Sequence, residues 1–339
     1  MSGNVDLEIP EIAAVAAGLP RPRWSVMIPT FNAAATIAET LQSVLATGPA
    51  AEHAQVAVVD NVSTDATLAV VEEVARAADA VNRVEIHQNA TNVGMAGNWN
   101  ACIGKARGEL VQILHADDYV LPGFYGAVER ALASAPRAEL CVVRALVVDG
   151  RGETERLASR LGRSADELSV ASIAYGNECY APGVVVRRAC YERVGGFAAN
   201  FRFVPDWEMW SRILATGSGV YVNEPLVCYR EAAGNLTHRY SQTTEDLREL
   251  LQLGEIMRER VPGFVPMRWQ GMLKQHAVWA MANWERAGDT AAYSANRKYW
   301  RRFASTGEKL DVALAAAKNF ARHCERPLRN LARRIKPKR

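Results

Sequence analysis

At 339 residues, 49% of them hydrophobic and 23% charged, the chain can bury a full core, and this balance excludes a disordered polymer. The formal net charge of +3 is small but uneven. Lys318, Arg322, Arg326, Arg329, Arg333, Arg334, Lys336, Lys338 and Arg339 crowd the last stretch, opposed there only by Glu325.

Residues 1–22 read as a flexible lead ending in a Pro-Arg-Pro-Arg run, and their acidic groups stand where a secretory signal would be positive. WSVMIP (24–29) is an apolar run stopped by proline, a buried strand. Residues 33–46 follow with helical spacing, Ile37, Leu41, Val44 and Leu45 sharing a face. A second strand is expected at 55–60 and a second helix from Thr64 to Ala78, with Ser63 and Thr64 as capping candidates. A third strand (84–89), a third helix (Gly97 to Ala106) and a fourth strand (110–115) come next, then a helix from about Pro122 to Ala133 and a strand at 138–148.

This rhythm predicts an α/β fold with a mostly parallel, doubly wound sheet flanked by helices. Further on, 183–188 reads as a strand, 207–215 as a helix and 219–230 as a strand pair. From Thr243 the pattern turns helical, through Leu247, Leu250, Leu251, Leu253 and Ile256 to a proline-containing turn at 262–266. The expected division is a lead (1–22), a catalytic domain (23–240) and a helical C-terminal region with a basic tail (241–339).

The six cysteines, Cys102, Cys141, Cys179, Cys190, Cys228 and Cys324, form no CxxC pair. Several sit in apolar runs, so reduced, buried thiols of a cytosolic protein are expected rather than a disulfide frame or a zinc site. No window approaches the roughly 20 apolar residues of a membrane span, so the protein is expected to be soluble or to lie on a membrane without crossing it.

Open α/β sheets bind ligands at the carboxyl ends of their strands. Here four successive tips are polar: Pro29-Thr30-Phe31-Asn32, then Asp60-Asn61 with Ser63 and Asp65, then Asn89 with Asn92 and Gly94, then His115-Ala116-Asp117-Asp118. Adjacent carboxylates just past a buried strand repel one another unless a cation or hydrogen-bond donors neutralise them. Mg²⁺ or Mn²⁺ shared with a diphosphate does this, with one or two protein carboxylates. Taken alone, Asp117 and Asp118 read better as a solvated turn.

The segments SVMIPTFNAAATIAETLQSVLAT, VAVVDNVSTDAT and NATNVGMAGNWNACIGKARGELVQILHADD together resemble family 2 of the glycosyltransferases, which have the GT-A fold. GVVVRRACYERVGGF, PDWEMWSRI and EPLVCYR are similar to the family's later landmarks, so the resemblance covers roughly 24–240. It implies an inverting, Mg²⁺- or Mn²⁺-dependent enzyme. Such an enzyme moves a sugar from a UDP- or dTDP-sugar to the hydroxyl of a glycan or lipid-linked glycan, on the cytoplasmic side.

Carried over by residue, the donor cleft comprises Pro29, Thr30, Phe31, Asn32, Asp60, Asn89, Gly94, Asn100, Asp117 and Arg230. Thr30 and Phe31 would line the base pocket, Asp60 would accept from the base, Asp117 would meet the ribose or sugar, and Asp118 would hold the metal. Asp206 is the implied general base, with Glu208 as its alternative. Asp60 could instead cap a helix, Asn89 and Gly94 shape a turn, and Asp206 act as an N-cap. Three departures stand out: His115 where many members have Asp, Trp99 where Arg often stands, and Pro205 in place of the first acid of a pair. Arg230 and His238 are candidates to reach the diphosphate.

In the C-terminal third, Trp269, Trp279, Trp284, Tyr293, Tyr299 and Trp300 accompany Arg301, Arg302 and the basic tail. The aromatics read as core, while the tail suits either solvent or an anionic membrane surface at the inner face of the cell membrane. No nucleic-acid motif accompanies them. Two rival readings remain: a sugar-1-phosphate nucleotidylyltransferase, whose glycine- and basic-rich signature PTFNAAAT lacks, and a homologue that binds nucleotide sugar without turnover.

Overall fold

The computed structural model describes residues 5–162, 166–231 and 236–304, apart from the side chain of His238. Its first half alternates strand and helix: β1 (Trp24–Thr30), α1 (Ile37–Thr47), β2 (Ala54–Asp60), α2 (Thr67–Ala77), β3 (Val84–Gln88), α3 (Gly94–Lys105) and β4 (Leu110–Ile113). Next come β5 (Tyr119–Val120), α4 (Phe124–Ser134), β6 (Ala138–Val148), β7 (Thr154–Leu157), β8 (Glu167–Leu168), β9 (Val184–Arg187), α5 (Arg188–Val194), α6 (Pro205–Thr216) and β10 (Ser218–Arg230). Four helices follow: α7 (Leu236–Thr243), α8 (Glu245–Arg260), α9 (Pro266–Ala287) and α10 (Thr290–Phe303).

The strands form one sheet in the order β3-β2-β1-β4-β9-β6-β10-β5, with β7 beside β6 and β8 beside β10. The β3-β2-β1-β4 half is parallel, as the alternating pattern predicts. Beyond it the sheet is mixed: β9 runs antiparallel to β4 and β6, and β10 runs parallel to β6. Residues 219–230 lie in a single strand rather than a pair. Its register on β6 shifts between Val222 and Val227, and this irregularity is what the sequence pattern showed as a break.

Successive strand residues feed opposite faces. Val26 and Ile28 of β1 pack with Ile37, Leu41 and Val44 of α1, Val71 of α2 and Phe124 of α4. Met27 faces the other layer, where Trp99 and Ile103 of α3 meet Trp210 and Ile213 of α6. The same cluster continues through Leu250 and Leu253 of α8, Trp269 and Leu273 of α9 and Trp300 of α10. The helices after residue 240 therefore share a core with the sheet and do not build a separate one. Trp269 and Trp300 are buried as expected, whereas Trp279 is exposed.

Two expectations are corrected. Helix α2 begins at Thr67, not Thr64, and no side chain caps it, because Ser63 and Thr64 bond across to the first loop. The lead is not loose over residues 5–13. Ala199 N–H donates to Glu8 O (2.8 Å), Gly196 N–H to Pro10 O (2.8 Å), and Arg188 to Ala13 O (2.9 Å), while Ile12 is buried in the core. This strap crosses the loop between α5 and α6. Asn100 of α3 holds the same loop from the other side, accepting from Phe197 N–H (2.7 Å) and donating to Phe197 O (2.9 Å).

A Cβ on Gly196 would lie 2.4 Å from Asn100 Oδ1 and 3.0 Å from Pro10 Cγ. Gly196→Ala must therefore break the Asn100 clamp or lift the strap, and a loss of about 1–3 kcal/mol is expected. Urea unfolding reads it as a lower midpoint at unchanged slope; an unchanged midpoint would contradict the packing described.

Candidate active site at the strand tips

The parallel ladders run one step past the strands. Asn61 N–H donates to Thr30 O, Asn89 N–H to Asp60 O, and Leu114 N–H to Met27 O, at 2.8 to 2.9 Å. The first two loops are then stitched together. Asn32, with φ of +50°, accepts from Thr64 N–H (2.8 Å) through Oδ1 and donates its own N–H to Ser63 Oγ (2.9 Å). Asp65 accepts from Ala34 N–H (3.1 Å) and Thr67 N–H (3.0 Å). Asp60 is fully buried and accepts from Ser63 N–H, Ser63 Oγ and the Gln88 amide. Beside it the Thr30 hydroxyl is buried without a partner, while the Phe31 ring stays 49% exposed. A flat open ring over buried polar atoms suits a planar heterocycle.

The third tip is a relay of amides. Asn89 donates to Asn61 Oδ1 (3.0 Å) and Asn98 Oδ1 (2.9 Å); Asn61 donates to Asn92 Oδ1 (2.9 Å); Asn98 donates to Val59 O (3.1 Å). Gly94, with φ of +75°, starts α3 and has open space where a Cβ would project. Asn89 thus braces the loops. Asn100, expected to contact a donor, uses its Oδ1 and one N–H of its Nδ2 to hold Phe197.

The fourth tip carries the acids. Asp118 N–H donates to His115 O (3.1 Å), turning the chain so that β5 pairs antiparallel with β10. Asp118 is fully buried; its Oδ1 accepts from Arg230 N–H (2.8 Å), and its Oδ2 lies 3.2 Å from His115 Nδ1. Asp117 next to it is exposed. Ligand atoms of His115, Asp117 and Asp118 lie within 4.8 Å of one another. Burial, and then the Asp117 charge, push the Asp118 carboxyl up to about 6. Burial pulls His115 down, but Asp118, Asp117 and Asp206 outweigh it, and its net shift is upward. The His115 ring stacks on Trp99 (centroids 5.0 Å apart, 12° between planes), so the residue that replaces the more usual Arg orients this imidazole.

Asp118 Oδ2 and His115 Nε2 are both buried without a hydrogen bond. Two unsatisfied donor atoms beside a second carboxylate fit a divalent cation of the oxygen-seeking kind.

Arg230 was expected at a diphosphate, but its guanidinium is already engaged. It donates to Asp117 O (2.9 Å), to Asp149 O and Gly150 O (3.3 Å each) and to the Glu39 carboxylate, and it is buried. It is a brace tying the acidic loop to α1 and to the turn after β6.

Asp206 sits in the first turn of α6, after an N-cap Val204 that makes no side-chain cap, so capping does not account for it. Its Oδ2 accepts from Asn177 Nδ2 (2.9 Å) and its Oδ1 from Trp207 N–H (2.7 Å). Burial raises its pKa, offset in part by those two donors and then by His115. Glu208, the alternative base, points the other way: it is fully buried and paired with Arg212 (2.7 Å) and Arg260 (2.8 Å).

Tyr229 precedes Arg230, whose backbone holds Asp118, and Tyr180 follows Asn177, which holds Asp206; their centroids are 4.8 Å apart. Sequence reading missed Asn177, Tyr180, Tyr229, Gln88 and Glu39; Gln88, Asn177 and Glu39 pair with residues 28, 29 and 191 positions away.

Residues 25–191 match the model of glycosyl transferase family 2. The succinoglycan biosynthesis protein ExoU of Rhizobium meliloti is 30% identical over 206 residues, 57% of either chain. TarS of Staphylococcus aureus, solved with UDP-GlcNAc, superposes with a TM-score of 0.55 at 17% identity, covering 84% of this chain and 93% of that one. The Pyrobaculum calidifontis mannosyltransferase PcManGT, solved with GDP-Man and Mn²⁺, gives 0.54 at 18% identity, covering 93% and 84%. At these identities the two structures establish the GT-A-like fold.

The two acids of α6 are predicted to separate in a stability measurement. Glu208→Ala strands two guanidiniums in the core and should cost about 3–5 kcal/mol, whereas Asp206→Ala should change stability by no more than about 1 kcal/mol. Equal losses in urea unfolding would contradict the division.

Proposed function

The chain belongs to glycosyl transferase family 2 through residues 25–191, and on that premise we propose that it is an inverting transferase using a UDP- or dTDP-sugar. The observation that carries the reading is the cluster of His115, Asp117 and Asp118, whose ligand atoms lie within 4.8 Å of one another. The same imidazole also feels the charge of Asp206, a half-buried carboxylate of raised pKa.

In this reading Phe31 stacks on the donor base, Asp60 accepts from the base ring N–H, and Asp117 meets the ribose or sugar. Asp118 holds the metal, with His115 and Asp117 alongside; bound there, Mg²⁺ or Mn²⁺ neutralises charge on the departing diphosphate. The acceptor hydroxyl oxygen attacks the anomeric carbon from the side opposite the diphosphate. The new carbon–oxygen bond forms as the bond to the β-phosphate oxygen breaks, the electron pair leaves with the nucleoside diphosphate, and Asp206 takes the hydroxyl proton. Burial suits Asp206 to this, because a carboxylate made more basic accepts that proton more readily.

ExoU, named for succinoglycan biosynthesis, supports a polysaccharide as the acceptor. Among the described residues no helix is long and apolar enough to cross a membrane. The expected membrane contact of the basic tail, the side chain of His238, and Cys324 lie outside the described residues.

Asp206→Asn should keep nucleotide-sugar binding and lose transfer by about 10²–10⁴-fold. In the unaltered enzyme kcat should fall on the acid side at a pH above the ordinary carboxylate range, because the raised pKa keeps Asp206 protonated there. Full transfer by the variant would remove the residue from the mechanism.

A second expectation concerns the metal. A carboxyl titrating at about 6 binds a proton in competition with a cation below that pH. Mn²⁺ affinity, read by calorimetry, should therefore fall as the pH is lowered through about 6, with protonation of His115 adding to the fall. Asp118→Asn should remove most of the affinity. Unaltered binding in the variant would refute the assignment of Asp118.

A further inference from the structure

Asp206 is held from a segment in which sequence reading singled out no site residue. Asn177 lies in the irregular segment between β8 and β9, and its Nδ2 donates to Asp206 Oδ2 at 2.9 Å. Its own Oδ1 accepts from Cys179 N–H at 3.2 Å. That second bond fixes which end of the amide is the donor, so Asn177 can offer Asp206 only N–H. With Trp207 N–H on Oδ1, each carboxylate oxygen of Asp206 has one fixed donor, and the remaining lone pairs are left for a proton arriving from the cleft.

We propose that Asn177 is a positioning residue for the catalytic base, fixing the orientation of the Asp206 carboxylate through the hydrogen bond from its Nδ2 to Oδ2. This rests on the reading of Asp206 as the base.

The bond is separable from the fold. The same segment is tied to α6 independently by Trp207, whose indole N–H donates to Ile173 O at 2.8 Å inside the core. Removing the Asn177 amide therefore leaves that anchor in place.

Other groups facing Asp206 are few among the described residues. From the tip of β4 comes His115, which lowers the Asp206 pKa. From β10 comes Tyr229, and from Asn177's own segment Cys179; both are neutral, buried and pushed further up by the Asp206 charge. On α6 itself Glu208 is turned into its ion pairs with Arg212 and Arg260. Burial raises Asp206, and among side chains Asn177 is the largest influence in the other direction. Loss of a donor to the charged form moves a carboxyl pKa upward.

The test needs no sugar donor. Full-length protein labelled at aspartate ¹³Cγ is titrated by NMR, with the Asp206 resonance identified by its disappearance in Asp206→Asn. Asn177→Ala should move the Asp206 midpoint up by about half a pH unit or more, and Asn177→Ser, which keeps a shorter donor, should move it less. Trp207→Phe loosens the same segment without touching the carboxylate and should leave the midpoint in place. An unmoved midpoint in Asn177→Ala, or an equal shift in Trp207→Phe, would overturn the proposal. Failure of the underlying reading looks different: Asp206→Asn would turn over UDP-GlcNAc as fast as the unaltered chain, whatever the titrations showed.

Discussion

Asp118 is a carboxylate with no exposure to water, next in sequence to a second carboxylate, and only one of its oxygens has a hydrogen bond. Much of the architecture answers that constraint. The turn after β4 folds back as β5 onto β10, which brings Arg230 N–H to Asp118. The Arg230 side chain then fixes the loop through Asp117 O and reaches Glu39 on α1. Backbone and brace together satisfy one oxygen of Asp118 and leave the other facing His115. A group kept dry and half satisfied is costly unless something else completes it. In the proposed reading a divalent cation would complete it, shared with the diphosphate of the donor.

The base side is built by a different device. Helix α6 enters the site through a turn whose Arg202, Phe203 and Val204 N–H groups donate to Glu249 of α8. Lower down, Arg260 of α8 pairs with Glu208. The C-terminal helices thus grip α6 at two points, and Asp206 lies between them in sequence. On the opposite side the strap of residues 5–13 and Asn100 fix the loop that precedes this turn. Segments that read from sequence as a lead and an appendage are therefore fitted to the part of the fold that orients a carboxylate.

The parallel half of the sheet and its polar tips were legible because they are local facts: a buried strand is an apolar run, and its end is where polarity returns. Asp60, Asp117 and Asp118 could be singled out for that reason, Asp206 only through the resemblance, and the structure brings His115, Asp117 and Asp118 together. Residue type alone could not say which polar groups were already spoken for. Arg230 and Asn100 have the chemistry to bind a phosphate or a sugar, yet Arg230 is engaged by partners 80 to 191 positions away and Asn100 by one 97 positions away. Glu208 passes for a base until Arg260, 52 positions on, is seen beside it. Strand direction in β9 was hidden for a similar reason, since an apolar run buried on both faces looks the same either way.

The account's central claim is that the acidic tip of β4 grips a cation which a nucleoside diphosphate shares. The most direct measurement is calorimetric titration of the protein with UDP, once with Mn²⁺ present and once with the ion removed by EDTA. The account predicts binding with Mn²⁺ that weakens by roughly tenfold or more without it. Equal affinity in the two titrations would contradict it, because the diphosphate would then be held without the metal that the buried aspartate is there to carry.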